Sequence, residues 1–521
     1  MLLTGDPERR GGNLLADPVF SVGADMALSL PGVFAASARG EIRGFSRLRA
    51  HQRTAWHMFR VQLAALALRG AGLEEPPEDA ETWVRLLRAL APEHDDDPWR
   101  LVVVDRSRPA FLQPPDPGGM SWVRVETPDA LDLLITARNH DVKRSIAAVA
   151  TTEDWVHALV SLQTGEGYGG SGNYGIARMN GGSSSRPFLG LVPTGADGAP
   201  NLSAWWRRDV AVLLRTRNDE TPLTRGGPGL LWCEEWKEGQ SLPVQQMDPW
   251  AIEVCRRVRL LGCDGQLVAE RAGSKAARLQ AKTFNGALGD AWAPVSLVEK
   301  ARKTLTLGEG RFDYRRIVDL MLTGNWEVPV AARVYSDESA GDMVLLAEAL
   351  SRGNSKTDGL QSRLVPVPQR ARGIFRTDSQ RLADLAALQI QEIAEADAAL
   401  REAVALYAAG GDRGKVGRDQ RRRAAEARAR LDRAADEAFF ESLWSRAVGE
   451  SAYADSEPEA GATFRALLVS TAHHELERAF QSLPCASAQA PRARVRATAR
   501  LRGGLRKGGL VDVPNEEIEN A

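Results

Sequence analysis

Near residue 365 the sequence changes character, and this change constrains the fold more than any other feature. The stretch VPVPQRARG (365–373) reads as a linker, and from Thr377 the chain is rich in Ala, Arg and Glu with helical periodicity. Leu385, Leu388, Ile393, Leu400 and Val404 fall on one helical face, and similar patterns recur over about 417–447, 457–482 and 490–506. Four such helices joined by Gly- or Pro-containing turns predict a four-helix bundle. The expected class is α+β: a large mixed N-terminal globular domain (1–366), a linker (367–376), the bundle (377–510) and a flexible tail (511–521).

Within the first region, NLLADPVFSV (13–22) reads as a short strand, and LSLPGVFAA places Pro31 where a first helical turn tolerates it. Residues 47–69 repeat apolar side chains at three and four, predicting a helix with one buried face. His51 and His57 are six apart, not the four that would put two metal ligands side by side, so both are expected to be structural. LVVVD (101–105) reads as a buried strand and DWVHALVSLQ (154–163) as a helix. Residues 254–271 read as a hairpin turning at Asp264-Gly265.

Residues 167–182 read GYGGSGNYGIARMNGG, with seven glycines. The opening six match G-x-G-x-x-G, but a dinucleotide site needs a strand before, a helix after and an acid about twenty positions on. Here a helical segment precedes, Gly and Ser follow, and no acid occurs between Gly167 and Gly190. Kinase companion motifs and a G-x-x-x-x-G-K-[ST] loop are also missing from the sequence. So many glycines cost folding entropy unless the chain needs positive φ or must bring bare backbone against a surface. Tyr168, Asn173, Tyr174, Arg178, Asn180 and Arg186 are interleaved with them, a mixture suited to phosphates and bases. A mobile surface loop is the alternative.

The formal net charge is -1, so a polyanionic partner would have to be met by local patches. Residues 401–433 hold ten Arg or Lys against five acids, and 491–507 hold seven basic residues and no acid. Arg492, Arg496 and Arg500 recur every four positions, a helical face that repels itself unless something negative lies beside it. A solvated helix is the other reading. Cys233, Cys255, Cys263 and Cys485 form no C-x-x-C pair, which suits a reducing compartment. With no secretory signal pattern and no apolar run long enough to span a bilayer, a cytoplasmic protein is expected, with no membrane partner.

Catalytic signals are missing. His140-Asp141 has no companion metal ligands, adjacent His473 and His474 diverge by about 100° on a helix, and Ser183–Ser185 lack a nucleophile elbow. The protein is expected to be no enzyme and to need no metal or other cofactor.

Three stretches carry a family resemblance. NLLADPVFSV, GYGGSGNYGIARMNGGSSSRP (167–187) and TAHHELERAF (471–480) resemble, in order and spacing, motifs of the large subunit, CasA, of type I-E CRISPR Cascade surveillance complexes. The resemblance implies a non-catalytic subunit that reads the protospacer-adjacent motif (PAM), helps nucleate duplex unwinding and R-loop formation, and recruits the effector helicase-nuclease. Its implied partners are double-stranded target DNA, CRISPR guide RNA, the other Cascade subunits and that nuclease. It assigns Gly167, Tyr168, Gly169, Gly170, Asn173 and Arg178 to DNA. ARNHD (137–141) matches the family's guide-handle or motif loop, placing Asn139, His140, Lys143 and Arg144 there, with Ala137 where the family has an aromatic residue. LQAKTFNG offers Lys282 as a lysine finger, and SRGNSKTDG offers Asn354, Ser355, Lys356 and Thr357 as a strand-separating wedge. Arg492, Arg496 and Arg500 are assigned to DNA from their basic face. Some relatives bind zinc near the hairpin, but only Cys255 and Cys263 stand there, so no zinc is implied. Two other readings stay open: a nucleotide-binding enzyme using the glycine loop, and a structural scaffold docking through the basic C-terminal helix.

Overall fold

The computed structural model describes residues 12–511 apart from 24–25, 133–149, 180, 217–221, 264–265, 309, 339–340, 354–355 and 450–458, and apart from the side chains of 352–358, 377 and 459–460. The chain divides into two compact units: Met1–Phe312 with Gly324–Arg333 and Gly341–Leu364, and Asp313–Thr323 with Val334–Ala340 and Val365–Ala521.

The first unit is organised on helix α2 (Arg53–Gly70), flanked by α1 (Leu30–Ala38), α3 (Ala80–Arg88), α4 (Thr152–Gly165) and α5 (Leu202–Arg215). Every residue of α2 from Thr54 to Leu68 is buried, so the helix runs through the core and not along it with one buried face. Its alanines allow close neighbours on all sides, and its polar residues find internal partners. His57 Nε2 lies 2.9 Å from Asp209 Oδ2, and its ring stacks on Trp205 with centroids 3.6 Å apart. His51 Nε2 is 2.7 Å from Asp132 Oδ2. Both are structural histidines.

Two small sheets complete this unit. Strand β2 (Phe188–Pro193) pairs antiparallel with β5 (Met343–Gly353), which adjoins β6 (Lys356–Val367). Arg257–Cys263 (β3) and Gln266–Ala272 (β4) form the expected hairpin, with β1 (Val123–Val125) on its other edge. Asp264 and Gly265 lie outside the described residues. LVVVD, expected as a buried strand, joins no ladder.

The second unit holds the bundle: α8 (Ser379–Ala408), α9 (Ala425–Gly449), α10 (Glu459–Ser482) and α11 (Ala490–Lys507). Asp378 caps α8 by accepting the Arg381 N–H. Helix α11 buries Ala493, Ala497, Leu501 and Leu505, and its crossing with α8 is so close that a Cβ on Gly504 would lie 2.7 Å from that of Ala399. Leu388 is 50% exposed, not on the core face; Gln389 turns inward instead and donates to the Phe439 carbonyl at 3.1 Å. Glu392 is likewise buried, paired with Arg446 at 2.8 Å.

The expected linker is ordered. Residues Gln369–Thr377 form helix α7, with Ala371 and Arg372 buried and Arg372 donating to the Glu338 carbonyl at 2.9 Å. This unit also takes in 313–323, assigned from sequence to the N-terminal domain. There helix α6 (Tyr314–Leu322) is tied down by the Tyr314 N–H on Asp436 (2.8 Å) and its hydroxyl on Asp432 (3.1 Å). No described helix is long and apolar enough to cross a membrane.

Candidate nucleic-acid interface

Helix α4 delivers the chain to the glycine segment from a fixed position. Thr151 and Asp154 form a capping box at its start, the Asp154 carboxylate accepting the Thr151 N–H at 2.7 Å. Near its end the buried Gln163 amide donates to the carbonyls of Leu112 and Arg256, both at 2.9 Å. Its oxygen accepts the N–H groups of Cys255 (3.0 Å) and Arg256 (2.8 Å). Both donors and both lone pairs of one side chain are used, which locks helix to hairpin root. Arg256 then reaches back and donates to the Gly167 carbonyl at 2.8 Å.

From this anchor the segment closes on itself. The N–H groups of Ile176, Tyr168 and Arg186 donate to the carbonyls of Glu166 (3.0 Å), Gly182 (2.8 Å) and Gly165 (2.7 Å). Inside the closure Gly167 and Gly175 face each other: a Cβ on Gly175 would sit 2.6 Å from the Gly167 carbonyl carbon, and one on Gly167 only 2.3 Å from the Gly182 oxygen. Only hydrogen fits at either position.

Outside the closure the chain makes a tight turn. Gly169 N–H donates to the Asn173 carbonyl and Asn173 N–H to that of Gly170, both at 2.9 Å, with Gly170 at φ 110°. The turn leans on the end of β4, where Ser274 N–H donates to the Gly172 carbonyl (3.0 Å) and the Tyr174 hydroxyl to that of Lys275 (3.3 Å). The N–H groups of Gly170, Ser171 and Gly172 make no hydrogen bond among the described residues. Tyr168 is 42% exposed beside them, its ring 6.4 Å from that of Tyr174. Bare donors next to a flat ring can meet a phosphate or groove edge and a sugar or base face. No helix starts behind the turn, so it lacks the arrangement that cradles a dinucleotide.

Two expectations need correction here. Arg178 is 4% exposed: its guanidinium donates to Glu253 (2.7 Å) and to the Pro249 carbonyl (2.8 Å), leaving it unable to reach DNA. Gly167 is also buried, packed into the closure instead of offering its backbone outward. Arg186 is spent in the same way, its guanidinium forked on Asp290 at 2.6 and 2.8 Å. Burial alone would raise the Asp290 carboxyl, but Arg186 and Arg178 hold it below the ordinary carboxylate range. These pairs are the foundation of the loop, not its contact surface.

Other elements converge on the same segment. Lys282 is exposed on a single 3-10 turn, Lys282–Phe284, followed by Asn285 in the left-handed region at φ 48°. Next comes Gly286, where a Cβ would lie 2.7 Å from the Arg178 carbonyl, so this turn adjoins the glycine segment. Ser185 N–H donates to Leu350 (3.0 Å) and its hydroxyl accepts the Leu350 N–H (2.7 Å), fixing the base of the β5–β6 hairpin beside it. Asn354 and Ser355 lie outside the described residues, as do the side chains of Lys356 and Thr357. Asn139, His140, Lys143, Arg144 and Asn180 lie outside them too. Sequence reasoning missed Lys275, exposed beside the turn and in no ion pair among the described residues. Its signal was the Gly-Ser-Lys that ends the second hairpin arm.

In the second unit Arg492, Arg496 and Arg500 are exposed on α11. Arg496 donates to the Gly411 carbonyl at 2.8 Å and Arg492 to that of Gly410 at 3.5 Å, so two of the three serve the end of α8. Arg500 makes no such bond among the described residues. No group of three or more His, Cys, Asp or Glu among the described residues could hold a metal ion. Burial pushes the Cys255 thiol up, and its Sγ donates to the Leu162 carbonyl at 3.3 Å.

No protein-family model matches the sequence, and no curated protein matches it. Solved structures do. The chain is similar to the CRISPR-associated protein Cse1 from Acidimicrobium ferrooxidans, with TM-score 0.63 and 17% identity over 95% of this chain and 98% of that one. CasA from Thermus thermophilus matches with TM-score 0.62 and 16% identity over 95% and 99%. Cse1 from Thermobifida fusca matches with TM-score 0.61 and 14% identity over 96% and 99%. The Cse1/CasA fold thus extends over nearly the whole chain.

Proposed function

We propose that this chain is the large, CasA-type subunit of a CRISPR Cascade complex, a non-catalytic component that reads a short duplex motif while guide RNA supplies most sequence discrimination. One observation carries the reading: a rigidly anchored turn, Tyr168–Gly172, that presents three unpartnered N–H groups on a chain with the Cse1/CasA fold. In this role the turn lies against the DNA minor groove at the flanking motif, with Asn173 beside it. Lys275 and Lys282 supply charge to the neighbouring phosphates. Residues 354–357, at the tip of the hairpin based on Ser185, separate the strands. Asn139, His140, Lys143 and Arg144 meet the guide handle or the motif, and Arg500 contributes to a DNA path along the bundle. The subunit recruits the helicase-nuclease after R-loop formation, and the complex acts in the cytoplasm.

The test is an electrophoretic shift with the reconstituted guide complex, with and without this chain, on targets differing only in the flanking motif. Addition of the chain is expected to create discrimination between motifs. Equal binding to all targets in both cases would sink the reading.

A further inference from the structure

The first unit carries an open groove of about 980 Å³, lined by α3, the turns over 92–99 and the segment Arg100–Arg108. It is lined at its heart by Val102–Val104, the residues whose composition predicts a strand. They pair with no strand. The N–H groups of all three, and the carbonyls of Val102 and Val104, make no hydrogen bond among the described residues; only the Val103 carbonyl is used, accepting from Arg259 at 3.3 Å. Val104 is 76% exposed. Three β-branched residues with free backbone groups are a template for a strand from elsewhere.

The charges around this template are unevenly spent. Arg88 is forked on Asp96 at 2.7 and 2.9 Å, and Arg108 is paired with Asp97 at 2.7 Å. Arg85 donates only to the Thr82 hydroxyl (2.8 Å), and the Arg100 guanidinium has no hydrogen bond or ion pair among the described residues. Two cations therefore remain to be satisfied from outside.

We infer that this groove is a docking site for an acidic, extended peptide segment of a partner protein. The segment adds as a strand along Val102–Val104, its apolar side chains beside the valines and its carboxylates on Arg85 and Arg100. Nucleic acid fits less well, because Asp95 and Asp105 also line the groove and would repel a phosphate backbone. The chain's own residues 1–11 would bring Arg9 and Arg10, like charges to the two free arginines. The site is distinct from the turn at 168–172 and does not depend on the function proposed for it.

The probe is a fluorescein-labelled synthetic peptide alternating Glu and Val, followed by fluorescence anisotropy with the full chain. Binding is expected to weaken roughly fivefold for each of Arg85→Ala and Arg100→Ala, and to be lost for Val104→Pro, which removes a free donor without breaking an internal bond. Thermal melts of the three variants should match the parent. The same peptide with Lys in place of Glu should not bind. Three results overturn the inference: undiminished binding by the arginine variants, preference of the same arginines for a single-stranded oligothymidylate, or binding that appears only after residues 1–11 are deleted.

Discussion

Gly169 and Gly175 make opposite predictions, although both belong to the same glycine-rich stretch. A Cβ on Gly175 would lie 2.6 to 2.9 Å from three backbone atoms of Gly167 and Tyr168, which have no rotamer by which to move away. Gly175→Ala should therefore behave as overpacking and cost about 1 to 3 kcal/mol of stability. A Cβ on Gly169 meets Arg256 Nη2 at 3.3 Å and Asn173 Cβ at 3.4 Å, contacts relieved by shifts of a few tenths of an ångström. Gly169→Asp should leave the melting temperature nearly unchanged while placing a carboxylate on the surface proposed to face DNA. Like-charge juxtaposition there costs several kcal/mol, on the order of a hundredfold in affinity. Thermal unfolding and electrophoretic shifts of the guide complex on motif-bearing duplex measure the two effects separately. The reasoning fails if Gly169→Asp binds duplex like the parent, or if Gly175→Ala melts like it.

Arg178→Met leaves Glu253 buried without its partner and should cost about 3 to 5 kcal/mol, read as a lowered melting temperature; a duplex-binding loss with no loss of stability would return Arg178 to the DNA surface. Burial lowers His57 to about 4 and His157 to about 3, against about 6.5 in the unfolded chain. Below pH ~6.5 the unfolded state takes up the protons first, so stability should fall by up to about 1.4 kcal/mol per pH unit per histidine until each folded pKa is reached. Proton uptake on unfolding at pH 5 checks the sign. Arg500→Ala should keep stability within about 0.5 kcal/mol and, if the residue neutralises one phosphate, should lower the salt slope of duplex binding by about 0.7 to 0.9. An unchanged slope removes Arg500 from the DNA path.

The bundle was legible because a 3.6-residue period survives any environment, and its four long helices lie close to the predicted spans. Leu388 was misread because the helix turns Gln389 and Glu392 inward, where the Phe439 carbonyl and Arg446 satisfy them. Those partners lie in later helices and leave no local trace. The same distance hid the fate of the arginines: Glu253 and Asp290 stand 75 and 104 residues from the guanidinium each one holds. An arginine among glycines looks the same whether its counter-charge is a phosphate or a buried carboxylate. LVVVD shows the reverse limit, since β-propensity identifies a segment able to pair but not whether the chain supplies the pairing strand.

The mutual contact of Gly167 and Gly175 also divides what can vary in this loop from what cannot. Substitution on the inner side is forbidden by backbone atoms, whereas Tyr168, Ser171 and Asn173 project from a turn whose position is already set by Gln163 and Arg256. The outer turn can therefore be rewritten without refolding its support, as an exchangeable tip on a fixed mount. Libraries restricted to those three positions should yield folded proteins at high frequency, and any shift in motif preference among them would come from local contacts alone.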